Sequence, residues 1–433
     1  MHVASAWKRL SPFFEKVFTP AVFGPLLVVT YLAMSFLVLS HEVSSEKGRA
    51  NLVSGDAGHY LDIGEDLARG NFSMDYVNKR PHRQPLYSAT IAPVIAWKGR
   101  DLFAMAAVNV FFAGAGLALT YYAVLSLFQS RGVAALAGVL YWTNGFLLEQ
   151  TTTHLLTEPL HIVLMLAIIF TLLGYLSQGR PWQLVLAAVL TGLDYLTRSN
   201  GLFVAIALVC VVLLQDFGRL AKDPAARVWK GIFPRLALYG ACVVVVLIVT
   251  IPSWLPRLEY YGNALHHGYL SNYLWVDTYK EAHAGGRFPL YTWRDYVANH
   301  SLGDAIRRAA WGFWRVAVDL PIIVEKPFFL LAISSIGGAV LALIFGPEKF
   351  RLLVLFAGIQ LAPLMWTHVS NPNPRVPYAS TFPFEILFAA LLFSYLAQHL
   401  RLFLEGNSPT RRSGWQVWLK HIRACGIPAG RKP

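Results

Sequence analysis

The run AVFGPLLVVTYLAMSFLVLS, residues 21–40, holds twenty residues without a charge, and stretches of the same kind recur along almost the whole chain. A segment of roughly 20 apolar residues matches the ~30 Å hydrocarbon core of a bilayer, and only a helix satisfies its own backbone groups there. Such runs are placed at 21–40, 102–128, 133–148, 156–176, 184–196, 201–214, 236–255, 328–345, 352–367 and 381–400. The expected fold class is therefore an all-α integral membrane protein of about ten transmembrane helices. Composition agrees. Of the 433 residues 55% are hydrophobic and only 14% charged, against about a quarter charged in a soluble domain.

Basic residues favour cytoplasmic loops, which orients the spans. With the N-terminus inside, Lys8, Arg9, Lys16, Arg131, Arg180, the stretch 219–235, Lys349, Arg351 and a basic tail all fall in the cytoplasm. The expectation is a multi-pass inner (plasma) membrane protein with both termini cytoplasmic. Residues 1–400 form the membrane domain, with long extracytoplasmic loops at 41–101 and 257–326, and 401–433 form the tail. The net charge of +13 then meets anionic membrane lipid, so no nucleic-acid partner is required. The tail segment RRSGWQVWLKHIR reads as interfacial. Cys210 and Cys242 fall in spans and Cys425 in the tail, which leaves no disulfide framework.

Polar residues gather on the expected outer face. The stretch SGDAGHYLDIGEDLARG, residues 54–70, repeats Tyr60, Ile63 and Leu67 at helical spacing, with Asp56 at an N-cap position and Gly70 at a stop. It reads as an amphipathic surface helix on which Asp62, Glu65 and Asp66 face water while Asp56, His59 and Tyr60 share one turn. Asp56 is open to two readings, a plain cap or a working carboxylate. Lys79, Arg80 and Arg83 follow, either as a headgroup-facing rim or as anion ligands, and then an apolar run, 86–97, that is short for a span.

Ionisable residues within spans are costly and are usually paired or functional. Glu158 sits at the mouth of a span, followed by Pro159 in the first helical turn. Asp194 and Arg198 lie four apart, which favours an ion pair between them, although Arg198 could turn towards a phosphate. In NPNPRVPYASTFPFE, Arg375 and Tyr378 are presented just before the last apolar run, and a guanidinium at that height suits a bidentate grip on phosphate. No Walker loop, nucleophile elbow, HExxH or strand-borne GxGxxG is present. No cofactor is expected from the residues. A divalent metal is left open, with Asp56 and His59 as its possible ligands.

Taken in order, SGDAGHYLDIGEDLARG, RQPLYSATIAPVIAWKG, LLTEPLHIVLMLA, TGLDYLTRSNGLFV and NPRVPYASTFPF resemble the GT-C glycosyltransferase superfamily. The resemblance is to the polyprenyl-phosphate-sugar-dependent branch that includes protein O-mannosyltransferases and the aminoarabinose transferases of lipid A. It covers roughly residues 20–215 and 350–400. It implies inverting transfer of a sugar from a polyprenyl-phosphate donor to a glycan, lipid or protein acceptor on the extracytoplasmic face. By the same resemblance, Asp56 acts as general base. Arg375, Arg198, Lys79, Arg80 and Arg83 stabilise the departing phosphate, and His59, Tyr60, Glu158 and Tyr378 line the pocket. One departure is that Asp56 is followed by Ala57, where many members carry an adjacent acid pair. The competing reading is a transporter or flippase of a lipid-linked envelope precursor, for which repeated halves and midplane polar groups are the usual sign. The sequence has neither, and the segment 257–326 finds no counterpart.

Overall fold

A computed structural model describes residues 19–71, 83–222, 228–267, 269–284, 292–316, 329–371, 373 and 375–404, and within them the chain is helical with no strand. Helix α1, Pro20–Ser44, leads into a short α2, Glu46–Leu52, and then into α3, Asp56–Ala68, and α4, Pro85–Lys98. The bundle continues through α5, Leu102–Phe128, α6, Arg131–Trp142, α7, Gly145–Thr152, α8, Glu158–Gln178, and α9, Pro181–Thr197. After α10, Gly201–Lys222, and α11, Val228–Tyr261, come four short helices: α12, Tyr269–Tyr273, α13, Tyr279–Ala284, α14, Trp293–Asn299, and α15, Leu302–Trp314. Three long helices close the described chain: α16, Phe329–Phe345, α17, Glu348–His368, and α18, Arg375–Leu404.

Among the described residues seven helices are long and apolar enough to cross a membrane: α1, α5, α8, α10, α11, α17 and α18. The other three expected spans fall on shorter helices. The run 133–148 breaks at Asn144, whose side chain accepts the Leu147 N–H at 2.9 Å and so caps a new helix, α7. Helix α9 has 17 residues, short of the roughly 20 that span a bilayer squarely, and the described part of α16, from Phe329, also has 17. The run 86–97 forms α4, a helix of 14 residues.

The main core joins α1, α5, α6, α8, α9, α10, α17 and α18 through residues such as Tyr121, Tyr141, Met165, Ala188, Phe356 and Phe382, all buried. A second cluster positions the loop helix. Ala57, Tyr60 and Leu61 of α3 pack on Tyr87, Ile91 and Ile95 of α4. Tyr60 and Tyr87 meet edge to face at 5.4 Å, and Ser88 Oγ donates to the Tyr60 carbonyl at 2.9 Å. The expected boundaries of α3 are close to those observed, but Asp56 is not the cap. Gly55 takes that position at φ +60°, a left-handed turn that a side chain strains, and this leaves the Asp56 carboxylate free to point elsewhere.

Candidate functional site

The carboxylate of Asp56 is held from two sides. Arg83 NH2 donates to Oδ1 at 2.5 Å and Arg375 NH2 donates to Oδ2 at 2.9 Å, across 319 positions of sequence. Arg375 continues the chain, since its Nε lies 2.8 Å from Glu158 Oε1. That oxygen also pairs with Arg198 NH1 at 2.8 Å. The result is one row of alternating charge, Arg83–Asp56–Arg375–Glu158–Arg198, with a cation at each end.

Local structure explains each place in the row. Asp56 opens α3, and Arg375 opens α18, six residues before the expected span. Pro377, in that first helical turn, costs little because its missing N–H would have had no partner there. Glu158 opens α8 and is 1% exposed. Arg198 ends α9 in an extended conformation, φ −146° and ψ 138°. That backbone overturns the expected Asp194–Arg198 pair. The helix stops at Arg198, so the side chains lack helical four-residue geometry, and Arg198 turns instead to Glu158. Gly201 keeps the turn tight, because a Cβ there would come within 2.3 Å of the Tyr195 backbone nitrogen.

Asp194 pairs instead with His161, a histidine that little in the sequence pattern marks. His161 Nδ1 lies 2.6 Å from Asp194 Oδ1, and His161 Nε2 lies 3.0 Å from Ser380 Oγ. All three residues are fully buried. They stand on α8, α9 and α18, the helices that also carry Glu158, Arg198 and Arg375. The Asp194–His161–Ser380 network thus ties together, within the core, the three helix ends that build the row. Its sequence signal was slight, a histidine three residues after Glu158 and a serine five after Arg375.

The row faces a cavity of about 640 Å³. Asp56, Tyr60, Arg83, Glu158, Arg198 and Arg375 line it, so six of the expected site residues come together. Of the other four, the two described ones, His59 and Tyr378, do not add to that wall. His59 stands behind Arg83, which donates from Nε to His59 Nδ1 at 3.1 Å. Tyr378 does not line the cavity; it is 1% exposed in the core and takes a 2.5 Å hydrogen bond from the Asn144 side chain. The tertiary cause is the break before α7, which puts Asn144 against α18. Lys79 and Arg80 lie outside the described residues.

The facing wall comes from the segment 257–326, which has no counterpart in the family resemblance and whose aromatic residues leave open acceptor recognition or packing against the first loop. His267, Tyr273, Tyr279 and His283 line the cavity, with Tyr273 and Tyr279 stacked at 6.0 Å and the Tyr279 and His283 rings tilted against each other at 4.0 Å. Behind His267, Arg257 is fully buried and its NH1 lies 2.5 Å from His267 Nε2. A guanidinium can only donate, so Nε2 accepts and the ring proton sits on Nδ1. Arg308 fixes Tyr273 by donating to its carbonyl at 2.9 Å. Aromatic residues in 257–326 were visible in the sequence, but their destination depends on this long-range contact.

Electrostatics follow from the row. Burial alone would raise the Asp56 carboxyl, but the charges of Arg83 and Arg375 outweigh it and hold Asp56 below the usual carboxylate range. The carboxylate is therefore ionised at neutral pH. Asp56 and His59 do not fit a shared divalent ion, because the Arg83 guanidinium bonds to both. Among the described residues no group of three or more His, Cys, Asp and Glu could hold a metal.

A second, apolar cavity of about 330 Å³ lies between α9, α10 and α11, lined by Tyr195, Leu202, Val209, Cys242, Val246 and Trp254 among others. It adjoins the first through Tyr195, whose hydroxyl is 3.3 Å from His267 Nε2.

No family model matches the chain, and no curated protein matches it in sequence. Among solved structures it is similar to the archaeal oligosaccharyltransferase AglB from Archaeoglobus fulgidus, determined in complex with an inhibitory peptide and a dolichol-phosphate. The identity is 14% and the TM-score 0.43, over 92% of this chain and 55% of that one. The chain spans about half the length of that protein, and a likeness at this distance carries no argument about the site.

Proposed function

We propose that this membrane protein is a glycosyltransferase that moves a sugar from a polyprenyl-phosphate donor to an acceptor hydroxyl or comparable nucleophile, with inversion and on the extracytoplasmic face. The observation that carries the reading is the grip of Arg83 and Arg375 on Asp56 at the wall of a cavity large enough for a sugar phosphate. Guanidinium groups are the side chains best matched to phosphate oxygens, and a carboxylate beside them is matched to a proton.

In this mechanism the donor phosphate exchanges with Asp56 for Arg83 and Arg375, and Arg198 supports it through Glu158. Losing its two cations raises the basicity of Asp56 at the moment the acceptor arrives. The acceptor oxygen attacks the anomeric carbon from the face opposite the phosphate, and its proton passes to Asp56. The C–O bond to phosphate breaks and its electron pair leaves with the polyprenyl phosphate, whose added charge the arginines stabilise. Inversion follows from the direction of attack. The apolar cavity beside Tyr195 suits the first isoprenoid units of the lipid, and the aromatic wall of Tyr273 and Tyr279 suits the acceptor side. Lys79 and Arg80 remain further candidates for the phosphate by position in the sequence. The gathering of charge at helix ends, instead of at a broken midplane helix, favours this reading over a transporter.

The test is reconstitution of the full chain in vesicles with radiolabelled polyprenyl-phosphate sugars and extracted envelope acceptors. Label should move from the lipid to an acceptor. Movement of intact lipid-linked sugar across the bilayer without transfer would support the transporter instead.

A further inference from the structure

We infer that the cavity selects a donor sugar that is uncharged and rich in hydroxyls, and that Gln84 and Asn200, with Glu158, are the residues that read it. This rests on the proposed donor class but concerns the sugar, not the phosphate.

Gln84, Asn200 and Glu158 stand on the cavity wall, each buried to 3% exposure or less. Gln84 Nε2 and Asn200 Nδ2 are buried with no hydrogen-bond partner among the described residues, and so are both carboxylate oxygens of Glu158, of which Oε1 has the ion pairs with Arg198 and Arg375. The Gln84 carboxamide is oriented, because its Oε1 accepts from Ser253 Oγ at 2.8 Å, so the NH2 group is the part left over. Glu158 is oriented as well, since both guanidinium contacts fall on Oε1. Buried polar atoms are nearly always satisfied, and an unmet one is costly. Three on one cavity wall are an arrangement for a ligand that supplies the missing partners. Two amide donors and one carboxylate acceptor are complementary to hydroxyl groups, which accept and donate at once. They offer nothing to an apolar ligand.

Charge narrows the class further. The charged residues lining the cavity are Arg83, Arg198, Arg375, Asp56 and Glu158, three cations against two anions. A lipid-phosphate sugar is a phosphodiester and carries a single negative charge. A neutral sugar therefore balances the cavity, whereas a uronate or an amino sugar leaves one charge uncompensated in a partly desolvated site, which is unfavourable. The placement is also economical in sequence: Gln84 follows Arg83 and Asn200 stands two after Arg198, so each amide is set beside a guanidinium of the row.

The experiment measures binding of four lipid probes to the full chain in nanodiscs. They are decaprenyl methyl phosphate, which has the same charge and no sugar, and the decaprenyl phosphates of mannose, of glucuronate and of 4-aminoarabinose; arabinose is added as a second neutral sugar. At least one neutral sugar ester should bind about tenfold or more tightly than the methyl ester, and neither charged ester should match it. Gln84→Met with Asn200→Leu should erase most of that preference while leaving methyl ester affinity within about twofold. Each substitution is also made singly, and Ser253→Ala, which releases the Gln84 carboxamide without removing it, should reduce the preference by a smaller factor. No preference for a neutral sugar over the methyl ester, tightest binding of a charged ester, or a variant that weakens all probes alike overturns the inference. Wild-type protein that binds no ester at all overturns it together with the donor reading, whereas methyl ester binding without sugar preference overturns it alone.

Discussion

The row Arg83–Asp56–Arg375–Glu158–Arg198 and the cluster around Asp277 use the same residue types for different ends. Arg308 in the second cluster pairs with Asp277 at 2.9 Å, but it also donates to the carbonyls of Tyr273 and Trp366 and lies over the rings of Tyr296 and Trp366 at 5.4 and 4.9 Å. Its side chain is 4% exposed. Backbone carbonyls and aromatic faces hold such a guanidinium whatever binds nearby. Arg375 has two carboxylates as its side-chain partners and is 23% exposed on a cavity. A guanidinium held by anions alone can be taken by another anion. The difference separates a rivet from a binding group.

Breaking each guanidinium should show that separation most strongly. Arg375→Ala is expected to weaken binding of a polyprenyl phosphate roughly a hundredfold, in line with truncating one member of a desolvated charge pair, with little change in acceptor KM. Arg308→Lys should leave donor affinity alone and lower the thermal stability, since lysine cannot reach two carbonyls and a carboxylate in one plane. Equal loss of donor affinity in both variants would erase the distinction.

Glu158→Gln gives the next largest effect. It leaves Arg198 and Arg375 facing each other without their shared anion, and a loss of stability on the order of 2 kcal/mol is expected. That is below the ~3–5 of a fully buried pair because Arg375 keeps some solvent. Unfolding by denaturant measures it, and an unchanged midpoint would mean that the row is not held by charge.

The two clusters also predict opposite pH responses. Asp56 is held below its ordinary range, so its contribution to stability is present above about pH 4 and is lost as pH falls through the lower folded value. His300 is raised by its hydrogen bond to Asp277 at 2.8 Å. Its contribution is full below about pH 6.5 and is lost as pH rises through the higher folded value. Hydrogen-exchange protection, corrected for the intrinsic rise of exchange with pH, should therefore fall across residues 269–284 on the alkaline side and across α3 on the acid side. A common direction in both segments would contradict the assignment.

Much of this site was legible because charge in an apolar chain is conspicuous. Asp56, Arg83, Glu158, Arg198 and Arg375 stand out from the sequence on cost alone, and Tyr60, Ile63 and Gly70 outline α3. Partners were not legible. Helical spacing proposed Asp194 with Arg198, but the end of α9 lay between them, and the pairing that replaced it joins α8, α9 and α18. Three-residue spacing from Arg375 places Tyr378 on the pocket face, but the break at Asn144 claims its hydroxyl for the core. Gln84 and Asn200 carry no charge and fall in no periodic pattern, so only the cavity reveals them.

The smallest predicted effect belongs to the buried network. Ser380→Ala removes one hydrogen bond to His161, worth about 1 kcal/mol, and should shift the unfolding midpoint slightly while Ser380→Thr preserves it. A larger change in donor affinity than in stability would show that the network holds the helix ends in register and does not merely fill the core.

The central claim is that Asp56 occupies the place of the donor phosphate and then serves as the base. Asp56→Asn measured for both binding and transfer tests it most directly. The neutral amide no longer competes for Arg83 and Arg375, so polyprenyl phosphate should bind several-fold more tightly, while sugar transfer falls by roughly 10²–10⁴. Weaker binding by the variant, or transfer at the wild-type rate, would contradict the account.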